Sequence, residues 1–135
     1  MKKTPLAVLF ILLLAAAFTA GCTTYPTFSG MFGMEIRDLE EARSSGRSME
    51  VSASYDEAFD RVLEILRDNR ITAYQVNRKK GYIIAMDFPK QTDTTRVGIF
   101  FESQDPGHTL ITLSSLSSTA LAKADGMIFG ELAAK

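Results

Sequence analysis

Apolar and polar positions change period several times along this chain, and each change marks an element. Residues 49–53 (MEVSA) alternate, placing Met49, Val51 and Ala53 on one face, which predicts a first strand. The period then lengthens. Tyr55, Ala58, Phe59, Val62, Ile65 and Leu66 recur at helical spacing, with Arg61, Glu64, Arg67 and Asp68 on the other side. That predicts a helix from Tyr55 to about Asn69. Ser54 and Glu57 stand at its start as a capping box, and Asp56 and Glu57 suit the positive end of the helix dipole.

Alternation then returns four times. Residues 71–77 (ITAYQVN) predict a strand with Tyr74 and Val76 on one face. Residues 82–88 (YIIAMDF) place Tyr82, Ile84, Met86 and Phe88 together. Residues 94–102 (TTRVGIFFE) align Val97, Ile99 and Phe101, and residues 109–116 (TLITLSSL) turn Ile111 and Leu113 inward. Arg78-Lys79-Lys80-Gly81 and Asp105-Pro106-Gly107 have turn chemistry, and residues 89–93 break the pattern. A last helix runs from Ala120 to about Ala133, capped by Ser118 or Thr119. Its apolar stripe is Leu121, Ala124, Ile128 and Leu132. Ala122, Gly126, Gly130 and Ala134 form a second row spaced by four. Such a row lets a backbone approach closely, so either the sheet or the first helix presses on it, or it is a helix–helix dimer seam. The order is β-α-β-β-β-β-α, an α+β two-layer sandwich with an antiparallel sheet and both helices on one face.

Upstream of this module the pattern is weaker. Residues 34–43 (MEIRDLEEAR) space Ile36, Leu39 and Ala42 by three, a short helix, and Ser44-Ser45-Gly46-Arg47 ends it as a loop. Residues 23–33 (TTYPTFSGMFG) have linker composition and read as a flexible tether. Phe28, Met31 and Phe32 are apolar for a linker and either dock on the domain or rest on a bilayer surface. At the very start, Lys2 and Lys3 precede LAVLFILLLAAAF, an apolar run of roughly 13 residues. That length matches the core of a signal peptide and falls short of the ~20 residues that span a bilayer.

Thr19, Ala20, Gly21 and Cys22 follow, and Cys22 is the only cysteine. "TAGC" resembles the lipobox of bacterial lipoproteins, with Thr19 standing where leucine is usual. The resemblance implies that the Cys22 thiol carries diacylglycerol and that the signal peptide is cut before it. Secretion with a free cysteine, or an uncleaved membrane helix, leaves the lone cysteine unexplained. Two or three acyl chains, at about 0.8 kcal/mol per buried CH₂, suffice for a lasting anchor where one chain does not. By the same analogy, Thr23 in place of aspartate implies the outer membrane, periplasmic face, or the cell surface if the source has one membrane. The expected division is 1–21 signal peptide, 22–48 lipidated tether with a possible short helix, and 49–135 the α+β domain.

Composition narrows the function. Removing Lys2 and Lys3 takes the basic residues from 15 to 13 against 16 acidic ones, a net of about −3. No basic face for nucleic acid is expected. His108, the only histidine, follows Asp105-Pro106-Gly107 in a turn, where exposure argues against a general base. One histidine and a lipidated cysteine leave no zinc set, and no glycine-rich phosphate loop or paired carboxylates stand out. No catalytic residue, metal or cofactor is expected. Arg78-Lys79-Lys80 is the densest basic cluster. It reads as a solvated turn, or as a contact with anionic lipid heads or envelope polymers.

The element order, with "YDEAFDRVLEIL…GYIIAMDF…TTRVGIFF", resembles the TATA-binding-protein-like or helix-grip arrangement. It is also similar to the small domains of the C-subunit lipoprotein of the outer-membrane barrel-assembly machine. No functional residue carries over from either. The expectation is a non-enzymatic, lipid-anchored envelope protein whose domain binds or scaffolds another envelope protein. The alternative is a carrier of lipid or another hydrophobic ligand in a pocket between sheet and last helix. Tyr74, Tyr82, Phe100 and Phe101 are expected mostly in the core, the alternative being a sheet surface open to a ligand, and Ser114, Ser115 and Ser117 keep the carrier open. Oligomeric state and ligand-binding residues are not specified by any motif.

Overall fold

The computed structural model describes residues 36–89 and 95–134, all within one compact unit, Phe32–Lys135. The apolar run, Cys22, the tether and the break at 90–94 lie outside the described residues. A helix at 36–41 (α1) runs into a 3₁₀ turn, Ala42–Ser45. Strand β1 is Arg47–Val51, helix α2 Tyr55–Asp68, β2 Thr72–Asn77, β3 Tyr82–Met86, β4 Val97–Asp105 and β5 His108–Ser114. Helix α3 begins at Ser118–Ala124, widens into a π turn at Asp125–Phe129 and closes with Gly130–Ala133. The sheet order is β1-β5-β4-β3-β2, every neighbour antiparallel. This is the α+β sandwich with the element order the patterning predicts.

The main core lies between the sheet and the two long helices. Helix α2 buries Ala58, Phe59, Val62, Ile65 and Leu66 against Ile83, Val97, Ile99, Phe101, Ile111 and Leu113. Fully burying one such large side chain stabilises by about 1.5–3 kcal/mol, so this layer dominates the fold. The Ser54 hydroxyl accepts from the Glu57 N–H at 3.4 Å, the first half of the expected capping box. The second half is absent: the Glu57 carboxylate accepts instead from Arg61, one turn on, at 2.7 Å. The far end of α2 closes as a Schellman motif. Ile71 N–H reaches Leu66 O at 2.8 Å and Arg70 N–H reaches Arg67 O at 3.1 Å. Arg70 therefore sits at φ 57°, where glycine is usual.

Three details depart from the sequence expectations. First, Phe88 is not on the face of Tyr82 and Ile84. Asp87 has φ 61°, which turns the chain after β3 and drops Phe88 into the main core. Second, α1 does not stand in solvent as part of a tether. Leu39 and Ile36 pack on the opposite sheet face, over Tyr82, Ile84 and Phe100. The buried Ser114 hydroxyl donates to Leu39 O at 2.6 Å, and Arg43 pairs with Glu102 and lies 4.7 Å over the Phe100 ring.

Third, α3 is capped by Ser117, whose hydroxyl accepts from Ala120 N–H, rather than by Ser118 or Thr119. Its buried row is Ala120, Ala124, Ile128 and Leu132, with Phe129 beside it. Steps of four drift by about 40° in an α-helix of 3.6 residues per turn. The π turn takes more residues per turn and pulls this row back into line. Ala122, Gly126, Gly130 and Ala134 lie two residues away, roughly 200° round the helix, and all four are exposed. Neither the sheet nor α2 presses on them: a Cβ at Gly126 or Gly130 would meet nothing within 4 Å.

Gly81 is the opposite case. It has φ 75°, and a Cβ there would stand 2.8 Å from Phe101 O. Gly81→Ala should lower the stability read from urea unfolding by more than about 1 kcal/mol, whereas Gly130→Ala should raise it by about 0.5–1 kcal/mol through helix propensity. A destabilising Gly130→Ala would mean that another backbone lies against that row. Arg70→Gly should also stabilise, by about 0.5–1 kcal/mol, because it relieves the left-handed conformation. Equal stability of wild type and Arg70→Gly would show that the arginine at that position costs nothing.

Candidate functional site

The basic turn between β2 and β3 is built into the fold through one of its three cations. Arg78 donates to Asp56 Oδ1 at 3.1 Å and to Asp60, both on the first turns of α2. Its guanidinium lies 4.4 Å over the Phe59 ring. The Asp60 hydrogen bond is the main cause that holds its pKa above the ordinary arginine value; burial opposes it, and the Asp56 hydrogen bond adds to it. Tyr55 donates its hydroxyl hydrogen to Arg78 O at 2.6 Å. Tyr55, Phe59 and Phe101 stack beneath, with Phe59 and Phe101 4.6 Å apart and Tyr55 edge-on to Phe101 at 6.3 Å. Asn77 Oδ1 accepts from Lys80 N–H at 2.9 Å and completes the turn. Arg78 is thus a clamp between turn and helix, while Lys79 and Lys80 are exposed.

Next to this turn lies β2, an outer strand of the sheet. Its exposed large apolar side chains are Tyr74 at 42% and Val76 at 45%. A bulge between Ala73 and Gln75 carries Tyr74, and the Arg96 guanidinium lies 5.5 Å over its ring. Gln75 Nε2 donates to the Tyr82 hydroxyl at 3.1 Å, on the side of the sheet that α1 covers.

The other sequence candidates are dispersed. Tyr82 and Phe100 are buried beneath α1, and Phe101 is in the main core, so of the four proposed aromatics only Tyr74 is open. Ser114 bonds Leu39 O, Ser115 donates to Arg96 O at 2.8 Å, and Ser117 caps α3. Each serine is engaged by backbone. Ile111, Leu113 and Ile128 fill the space between β5 and α3 and are fully buried. A concavity along the outer face of α2 is lined by Glu57, Asp60, Arg61, Leu63, Glu64 and Arg67, a predominantly charged wall.

His108 does face a carboxylate: its Nδ1 lies 2.9 Å from both oxygens of Asp105. The pair sits at the exposed tip of the β4–β5 hairpin. The Gly107 N–H first, and His108 second, hold the Asp105 carboxyl below its usual range. This is the chemistry of a turn, in which Asp105 orders the two residues after it. Among the described residues no group of three or more His, Cys, Asp or Glu could hold a metal, and no helix is long and apolar enough to cross a membrane.

Sequence reasoning missed two things here. The clamp was signalled by Asp56 and Asp60, which lie four apart on one helix face, but nothing in the pattern says that Arg78 folds back onto them. The open strand was signalled by the uncharged run TAYQVN. Its position at the edge depends on strand order, which periodicity does not encode. No family model matches this chain, and a search of the curated proteins finds no match to it.

Burial is the main cause that raises the Tyr55 pKa above 10.0, with Arg78 opposing and Asp56 adding. The unfolded tyrosine loses its proton first as pH rises. The contribution to stability is therefore complete below about pH 10 and is lost as pH climbs through the folded value. Tyr55→Phe should reduce stability by about 1 kcal/mol at neutral pH through loss of the bond to Arg78 O. It should also flatten the alkaline limb of a urea-midpoint series from pH 7 to 11. An unchanged alkaline slope in the variant would show that Tyr55 does not carry the effect.

Proposed function

We propose that this protein is a lipid-anchored component of a bacterial envelope, held by acyl chains on Cys22 at the periplasmic face of the outer membrane. Its α+β domain is a non-catalytic binding or scaffolding module for another envelope protein. The observation that carries the reading is the N-terminal arrangement: Lys2-Lys3, a 13-residue apolar run, then Thr19-Ala20-Gly21 before the single cysteine. In the domain, the buried hydroxyl groups serve the fold. Thr109 and Ser114 are buried and bond to backbone carbonyls, and Ser48 and Thr112 bond to each other at 2.9 Å. Its exposed apolar side chains gather on β2, with Leu116 as a separate exposed residue. Anchoring confines the domain to a thin layer, so a weak contact with a membrane-bound partner is occupied at the high effective concentration that results.

The test is the mature chain itself. Intact mass should show Cys22 as the first residue with acyl increments, and envelope fractionation should find the protein in the membrane. Cys22→Ala should be recovered in the soluble fraction. Equal membrane recovery of the two forms, or an unacylated mature mass, would refute the anchor. A crosslinked pull-down from envelope extract that returns no specific protein would refute the scaffold.

A further inference from the structure

One short segment covers the second face of the sheet. Helix α1 at 36–41 and the 3₁₀ turn Ala42–Ser45 lie over Tyr82 and Ile84 of β3 and Phe100 of β4. Ile36, Leu39 and Arg43 stand at i, i+3 and i+7 and make the contact. Leu39 is buried and Ile36 half-buried, while Arg43 pairs with Glu102 and lies 4.7 Å over the Phe100 ring. The Ser114 hydroxyl adds a hydrogen bond to Leu39 O at 2.6 Å. Arg37, Asp38, Glu40 and Glu41 are exposed. A helix of this length does not hold its shape in water without a surface to pack on.

The surface beneath is fixed by other means. β3 and β4 lie between β2 and β5, and their opposite face carries Ile83, Ala85, Val97, Ile99 and Phe101 into the main core. The Phe100 ring lies against Gly98, where a Cβ would stand 2.6 Å from it, so the apolar strip takes its shape within the sheet. The covering segment ends at Gly46, whose backbone is pressed against Leu113 O, and β1 begins at Arg47. Among the described residues, the main core takes nothing from 36–45.

We infer that 36–45 is a strap that opens as a unit while the rest of the domain stays folded, and that the strip beneath it receives a helical segment of the partner protein in its place. The seated strap defines that segment: two apolar residues three apart, then a cation four residues on that reaches Glu102 and the Phe100 ring, with a polar outer side. Exposing Tyr82, Ile84 and Phe100 to water keeps the open form rare, and a segment with the same face restores their burial. The strap is thus an intramolecular competitor, and the partner's apparent affinity falls with the fraction open. The inference rests on the scaffold reading above and names the chemistry of its partner.

Hydrogen exchange on the full chain in detergent tests the opening. Amides from Ala42 to Gly46 should exchange at least about 100-fold faster than those of Ile83 and Ile99, and with a weaker urea dependence. Ile128→Val, a change in the main core, should speed Ile83 and Ile99 by about two- to twelvefold and leave the strap unchanged, because the closed and open forms share that core. Equal rates in strap and core, or acceleration of both by Ile128→Val, would overturn the inference. The strip is probed with fluorescein-labelled Ile-Arg-Asp-Leu-Glu-Glu-Ala-Arg-Ser-Ser, the strap's own sequence. Leu39→Asp keeps the strap from seating, so this variant should bind the peptide at least about tenfold more tightly than wild type. A peptide with aspartate in place of its leucine should bind neither. Equal binding to both chains, no binding, or loss of the aromatic near-ultraviolet signal in Leu39→Asp would sink the idea. A wild-type dimer lost on Leu39→Asp would assign the strip to the strap of a second copy and overturn it likewise. If strap and core exchange together while the pull-down still captures an envelope protein, this inference falls and the scaffold stands. If the pull-down returns nothing while the strap opens and the peptide binds, the scaffold falls and the strip stands as a helix-binding site.

Discussion

The structure depends on burying β3 and β4 on both faces. Ile83, Ala85, Val97, Ile99 and Phe101 face the long helices, while Tyr82, Ile84 and Phe100 face α1. A sheet with helices on one side only would leave those three large side chains in water. Each contributes about as much when buried as a residue of the main core, so covering them matters to the stability of the whole. The segment 36–45 does this with little material. Leu39 and Ile36 supply the apolar contact, and Ser114 and Arg43 fix its position by a hydrogen bond and an ion pair. One consequence is where the chain enters the domain: across the outer face, over the middle strands.

The same requirement explains the inequality of the edges. The middle strands are enclosed, and β1 is held at Val51 by the main core and at Arg47 by α3. β2 receives less cover. α2 meets the sheet at the β2–β3 turn through Arg78, Tyr55 and Phe59, so the turn is rigid while the strand leading into it remains open.

Much of the architecture was legible because it rests on short-range physics. Ser54 before an amphipathic run marks the start of α2, since a helix leaves donors that a hydroxyl satisfies. Alternation in Val97, Ile99 and Phe101 places one face of β4 in the core, and the structure agrees. Other features had a signal that was read too locally. The row Ala120, Ala124, Ile128 and Leu132 is apolar throughout, which implies that the glycine row opposite it faces water. Phe88 continued the alternation of β3 by spacing, yet the left-handed turn at Asp87 inverted it. A single residue with positive φ changes the phase of everything after it, and aspartate announces that conformation only weakly.

From its amino acids alone, this chain determined the kinds of element, their order and a single cysteine set behind an apolar run. Those depend on periodicity, capping and the chemistry of neighbouring residues, which act over a few positions. Only the tertiary structure decided which strand became the open edge, that Arg78 folds back onto Asp56 and Asp60, and that 36–45 covers the second face of the sheet. Those outcomes join residues far apart in the chain. They are chosen by which arrangement buries the most apolar surface while leaving buried polar groups partnered, and no local pattern carries that sum.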